Sequence, residues 1–343
     1  MVDYVSHSLF GCLAGQSIAG REVRRRAALV AALSAFAPDL DMLAGFFLDP
    51  MPTLLVHRHF THSLLLALVI GLVIAGLVML LDHRLKFKHW KITCAAGVLG
   101  AATHGFLDVC TSYGTMWLWP FSYDRLALDI ISVFDLFLFS FMLVAVFLSL
   151  TVFKERRYFP GVILLVCVAY LFLGVFQNHR TMAAQLAIAD ARGHVTEKGR
   201  VIPNLFGLSE WRSLYISDDV IYADYIKTPF GGGSCYWSGT RQEYYSFDDF
   251  NREVESSSDV LEDFKAFDWF SDGFLFKISD SPLTVGDMRF ILDYTSLQTP
   301  YAVRVTPQEE QLELMEMEMD SNLLLTYLFG PPEKEISSCK KVL

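Results

Sequence analysis

Six cysteines are scattered over the chain, and Cys235 and Cys339 lack the paired spacing of a disulfide framework or a zinc ribbon. Cys94, Cys110 and Cys167 lie inside apolar runs and, with Cys12, are expected to pack as small hydrophobes. The "GGG" of "TPFGGGSC" has neither a Walker lysine nor a following helix, which excludes a phosphate loop. Thr61 and Ser63 flank His62 without a G-x-S-x-G elbow, so no serine nucleophile is read there. The carboxylates of "SFDDFNREVESSSDVLEDFKAFDWFSDG" lack the ligand order of an EF-hand and read as a solvated, helix-rich connection. No basic region precedes the first apolar run, where Asp3 and His7 stand, so a cleaved signal peptide is not read. No nucleic-acid partner is expected.

What is abundant is apolar residue, 53% of the chain with a mean hydropathy of +0.35, and it is unevenly placed. Residues 1–180 carry 14 Lys and Arg against 11 Asp and Glu, and the remainder 14 against 27. An apolar, weakly basic front half is thus joined to an acidic, water-compatible back half. Spans are expected at about 64–82, 131–153 and 159–178, with 92–110 also apolar. Two further runs, 4–20 and 27–48, either cross or only re-enter. Basic residues cluster at Arg21 to Arg26, at Arg84 to Lys91 and at Lys154 to Arg157, and the positive-inside rule puts all three connections in the cytoplasm.

That topology brings the unusual polar residues to one level, the outer face. His7 opens the first run, Asp39 and Asp41 of "PDLD" end the second, and His57, His59 and His62 of "HRHFTHS" open the third. His104 and Asp108 close the fourth, and Asp129 and Asp135 open the fifth. Residues 111–130 supply Tyr113, Trp117, Trp119 and Tyr123, an aromatic belt. Ionisable groups at membrane depth are costly, so such a coincidence marks a functional site. His104 and Asp108 are four apart, on one helical face, and both are ordinary zinc ligands. The pair also suits a hydrogen bond in which Asp108 orients the ring, and the histidine triple with Arg58 suits an interfacial boundary.

The motifs "HSLFGCLAG", "PDLD", "HRHFTHS", "HGFLDVCTSYGT" with its Trp-Pro loop, and "PNLFGLSEWR" together resemble the YdjM-like family of LexA-regulated inner-membrane proteins, described as metal-dependent hydrolases. Through that family the chain is distantly similar to zinc-dependent phospholipase C and the S1/P1 nucleases. The resemblance implies a divalent metal, zinc before manganese, held by His7, Asp41, His62, His104 and Asp108. No HxxxE pair follows His104, and Asp129 and Asp135 are the carboxylates available in its place. Asp39 or Asp135 is the expected general base.

From 200 to 305 short alternating runs such as "SLYISD", "VIYADYI" and "MRFILDY" predict a small antiparallel sheet domain, capping the bundle or selecting substrate. The expected architecture is a mainly α membrane bundle of four to six membrane helices (1–180), a neck or linker (181–199) in which 177–193 reads as a helix ended by Gly193, a small α+β or mostly β extracytoplasmic domain (200–305), and an acidic helical tail (306–343). The expected function is a membrane-bound metal-dependent hydrolase, phospholipase C- or phosphodiesterase-like, acting on a lipid or lipid-linked phosphoester at the outer face of the inner membrane. The alternatives are an ion- or proton-coupled transporter and a non-catalytic scaffold with a structural metal. A homo-oligomer is compatible with the sequence, which identifies no protein partner.

Overall fold

The computed structural model describes residues 4–48, 50–82, 88–205, 207–254, 257–291, 297–306, 311–315 and 339–342. It divides into two compact units, Met1–Leu48 with Val56–Val175, and Asp49–Leu55 with Phe176–Leu343.

The first unit is helical, built from α1 (Tyr4–Ile18), α2 (Arg24–Phe36), α4 (Leu64–Leu81), α5 (Trp90–Cys110), α6 (Leu136–Leu150) and the start of α7 (Phe159–Ala191); the short α3 is Pro50–Val56. Helix α4 is eighteen residues without a charge, and Ser63 caps it by accepting from the Leu66 amide at 3.2 Å. Helix α2 stops at Phe36 because Pro38 has no amide hydrogen and restricts the residue before it; the chain continues as a 3-10 helix over Ala37–Phe46. The runs at 4–20 and 27–48 therefore yield helices of 15 and 13 residues. At 1.5 Å per residue these are about 22 and 20 Å long, short of the roughly 30 Å bilayer core. Among the described residues α4, α5 and α7 are long and apolar enough to cross a membrane, and α6 is a shorter apolar helix. Three helices meet that length, where four to six were expected.

Helix α5 organises the unit. Thr93, Ala96, Gly97, Gly100, Ala101, His104 and Asp108 form one buried stripe at three- and four-residue spacing. The small members let neighbouring backbones in: a Cβ on Gly100 would lie 2.2 Å from the Ala31 carbonyl oxygen, and one on Gly97 2.3 Å from that of Gly71. His104 and Asp108 continue the same stripe, so they face the bundle interior rather than lipid. At the opposite end the basic connections meet. Arg21 donates to the Glu155 carbonyl at 2.7 Å, Arg24 to that of Lys154 at 3.1 Å, and Lys88 pairs with Glu22 at 2.7 Å. Trp90 and Asp108 are eighteen residues apart on α5, about 27 Å at 1.5 Å per residue.

The second unit carries two antiparallel sheets. The first has the order β1-β2-β3-β4-β9, from Lys198–Pro203, Glu210–Ser217, Val220–Lys227, Cys235–Glu243 and Lys340–Lys341. The second has the order β5-β6-β7-β8, from Leu275–Asp280, Leu283–Asp287, Ala302–Thr306 and Gln311–Met315. Side chains of both sheets, Leu214 and Ile221 with Phe274 and Phe276, share one core. The carboxylate-rich connection forms α8 (Phe247–Glu253), closed by a Ser246/Asp249 capping box, and α9 (Ser258–Phe270).

The neck is helical, as expected: α7 continues to Ala191, with Gln185 donating to the Arg200 and Leu214 carbonyls, and just beyond it Arg192 forks onto Asp224 at 2.7 and 3.0 Å. Two expectations change here. The acidic tail is strand rather than helix over Gln311–Met315, paired with β7, while 307–310 and 316–338 lie outside the described residues. Cys235 and Cys339, whose spacing gave no sign of pairing, form a disulfide that ties β9, at the sheet edge, to β4. Their 104-residue separation hides the pairing from sequence, since only sheet closure makes the two neighbours.

Candidate metal centre

Four chain segments converge on one buried cluster in the first unit. Helix α1 brings His7, the 3-10 helix after Pro38 brings Asp39 and Asp41, the turn before α4 brings His57, Arg58 and His62, and the last turns of α5 bring His104 and Asp108. His7, Asp39, His62, His104 and Asp108 are each at most 6% exposed, so their charges and lone pairs must be met within the protein.

Four ligand-type atoms lie close together. His62 Nε2 lies 3.2 Å from Asp39 Oδ1 and 3.3 Å from Asp108 Oδ2. His104 Nε2 lies 3.4 and 3.3 Å from the same two oxygens. Ligand atoms of one zinc-sized ion stand about 3.3–3.4 Å apart along a tetrahedral edge, the length of these four separations. Among the described residues His62, His104 and Asp108 are one metal-capable group, and Asp39, His57 and His62 another. His7 Nε2 stands 3.4 Å from Asp108 Oδ1, and His7, Asp39 and His104 form a second set of ligand atoms within 4.8 Å of one another.

The ring nitrogens behind the cluster fix its tautomers. The Nδ1–H of His104 donates to the Ala35 carbonyl at 2.5 Å, leaving the Nε2 lone pair toward Asp39 and Asp108. Thr61 donates its hydroxyl to Asp41 Oδ2 at 2.7 Å and lies 3.0 Å from His62 Nδ1, which is also 3.3 Å from Asp41. His62 Nε2 is thereby aimed at the same centre, in the carboxylate–histidine arrangement that supports metal ligands. Lone pairs of two imidazoles and two carboxylates converging in a dry site repel unless a cation joins them. Of the four atoms, His104 Nε2 and Asp108 Oδ2 are buried without a hydrogen-bond partner, whereas His62 Nε2 and Asp39 Oδ1 are a hydrogen-bonded pair at 3.2 Å. The residues present fit a divalent metal.

Some expected roles change with this geometry. Asp39, expected as a base, stands among the ligand atoms, whereas Asp41, expected as a ligand, sits behind them on His57 Nδ1 at 2.9 Å and on Thr61. The 3-10 geometry explains the exchange, because its tighter turn directs Asp39 inward and Asp41 toward the following loop. Asp135 caps α6, accepting from the Leu138 amide at 2.9 Å and the Tyr170 hydroxyl at 2.8 Å. Asp129, left-handed at φ 53°, and Asp135 belong to none of the metal-capable groups among the described residues. His59 is aromatic-packed on Phe60 and Trp119. Arg58 had suggested a snorkelling residue near lipid phosphates, but it is 2% exposed and its Nη2 meets Asp108 Oδ1 at 2.9 Å. The sequence offered no signal for that contact beyond the residue's place between two histidines.

A model of the YdjM inner membrane protein family matches residues 1–181, which include every member of this cluster. The chain belongs to that family. Two curated relatives are similar over part of the chain. The uncharacterized protein YfhP of Bacillus subtilis is 34% identical over 111 residues, 32% of this chain and 32% of YfhP. The inner membrane protein YbcI of Escherichia coli is 28% identical over 128 residues, 36% of this chain and 71% of YbcI. The chain thus aligns with about a third of the length of YfhP. No solved structure shows a significant match, so the similarity to phospholipase C and the S1/P1 nucleases has no structural counterpart. As a YdjM-family protein with three long apolar helices, the chain is an integral membrane protein.

Proposed function

We propose that this YdjM-family protein is a metal-dependent hydrolase of a phosphoester borne by a lipid or lipid-linked substrate, with its site at the outer membrane face. The observation that carries the reading is the set of four nitrogen–oxygen separations of 3.2–3.4 Å among His62, His104, Asp39 and Asp108. Zinc fits this set best, and manganese is the second choice. A bound divalent ion supplies Lewis acidity, polarising an ester oxygen and acidifying water. Around it, Ala35 and Asp41 hold the two imidazoles in the metal-ready tautomer, and Arg58 holds Asp108 Oδ1 so that Oδ2 faces the centre. His57, bound to Asp41 through Nδ1, is the group placed to take a proton, the arrangement of an oriented general base.

The basic connections gathered at one end of the first unit support a cytoplasmic assignment for that end, and hence an outer location for the cluster. The Cys235–Cys339 disulfide supports an oxidising compartment for the C-terminal unit, since such bonds persist outside the cytosol. The transporter reading is disfavoured because α4 and α6 carry no ionisable residue along their length.

The test is metal analysis of the untagged protein in detergent, followed by assay of phospholipids and lipid-linked phosphates with the loaded protein. Stoichiometric zinc or manganese with release of a phosphate-bearing product supports the proposal. A metal-loaded protein inert toward all of them leaves the structural-metal scaffold as the better reading.

A further inference from the structure

Beside the cluster, two guanidinium groups share one aromatic ring. The Arg58 guanidinium carbon lies 4.8 Å from the Tyr113 ring centroid and that of Arg125 5.3 Å, so the two charges are no more than about 10 Å apart. Tyr113 in turn packs edge-on against His57, with centroids 5.6 Å apart. Arg58 spends one N–H on Asp108 and another on the Thr111 hydroxyl at 2.8 Å, while its buried Nε has no hydrogen-bond partner. Its backbone is left-handed at φ 60°, a conformation that costs a non-glycine residue energy and clusters at functional sites. Arg125 is half-buried and donates to the Gly114 carbonyl at 2.9 Å.

We propose that Arg58 and Arg125, braced on Tyr113, form an anion subsite next to the metal cluster that takes a phosphate group. A phosphate monoester presents three terminal oxygens and up to two negative charges, which two guanidiniums can meet. A carboxylate has only two oxygens. The planar donor fork of arginine matches phosphate oxygens, and stacking on an aromatic ring fixes the fork's direction. This subsite deepens the hydrolase reading and rests on it for its role, although its anion affinity stands on the two arginines alone.

Calorimetric titration of orthophosphate into the full-length protein, with and without added zinc, tests it. The variant is Arg125→Gln, which leaves the Asp108 contact of Arg58 intact, and circular dichroism with metal analysis checks that it folds and loads. The expected result is phosphate binding by wild type, strengthened by zinc, and at least ten-fold weaker binding by Arg125→Gln at unchanged metal content. Equal affinity in the two proteins, or no binding by zinc-loaded wild type, overturns the subsite. Failure to bind zinc overturns the metal centre instead, and arginine-dependent phosphate binding in that case upholds the subsite without it. Competition against phosphate then separates the sources. Displacement by phosphatidic acid in nanodiscs points to a lipid headgroup, displacement by glycerol 3-phosphate to a soluble ester, and both support the site. Displacement by neither overturns it.

Discussion

His104 and Ala35 are joined by a 2.5 Å hydrogen bond from the ring Nδ1–H to the backbone carbonyl, across 69 positions of sequence. That bond leaves the remaining lone pair on Nε2 facing Asp39 and Asp108, the orientation a ligand needs.

Removing a member of the four-atom set should therefore abolish metal retention, and removing a supporting residue should only weaken it. His104→Ala, Asp108→Asn and Asp39→Asn are expected to purify without stoichiometric metal. Asp41→Asn is expected to bind at full stoichiometry but about 10–100-fold more weakly, the usual effect of losing an outer partner of a histidine ligand. Mass-spectrometric metal content and competitive chelator titration distinguish the two classes. Asp39→Asn with undiminished metal would contradict the assignment of that residue.

Gly105 gives a test that touches no ligand. A Cβ at this position would lie 2.3 Å from the His62 carbonyl oxygen, so alanine must push the His62 backbone away from α5. Because that backbone carries one corner of the set, Gly105→Ala should reduce metal affinity by about ten-fold or more, as displacements near 1 Å at a constrained site do. Gly20→Ala is the control, since no atom lies within 4 Å of its Cβ position. Equal affinities for the two variants would show that the approach of α5 to His62 does not set ligand geometry.

Much of this centre was legible in the sequence, and the illegible part has a specific cause. The four-residue spacing of His104 and Asp108 and the level shared by "PDLD" and "HRHFTHS" are properties of helical period and hydropathy, which survive without coordinates. Which aspartate of "PDLD" lies nearer the histidine nitrogens depends on a 3-10 turn beside a proline-broken helix, and α-helical period alone does not separate the two. The burial of Arg58 was equally hidden, because its partner Asp108 lies fifty residues away on another helix. In the second unit, alternation announced the sheets, but the 104-residue loop closed by Cys235 and Cys339 left no local trace.

Asp135 separates a capping role from a catalytic one. Its carboxylate accepts the Leu138 amide and the Tyr170 hydroxyl, so Asp135→Ala should cost about 1 kcal/mol, within the 0.5–2 kcal/mol range for lost caps, and leave metal content unchanged. Thermal unfolding in detergent, read alongside metal analysis, provides both quantities. Loss of metal at unchanged stability would restore Asp135 to the site.

The disulfide yields a prediction about both compartment and stability. Acid-trapped, denatured protein from cells should show Cys235 and Cys339 unreactive toward a maleimide until a reductant is added, because the bond requires an oxidising compartment. Free thiols at both positions in freshly trapped protein would place the C-terminal unit in the cytosol and remove one support for an outer-facing site. Closing a loop of this length restricts the unfolded chain by up to about 4–5 kcal/mol in the chain-entropy account. Cys339→Ser should accordingly lower the unfolding temperature of the C-terminal unit and release β9 from β4, while metal content is unchanged, because no member of the metal-capable groups among the described residues lies beyond Asp108.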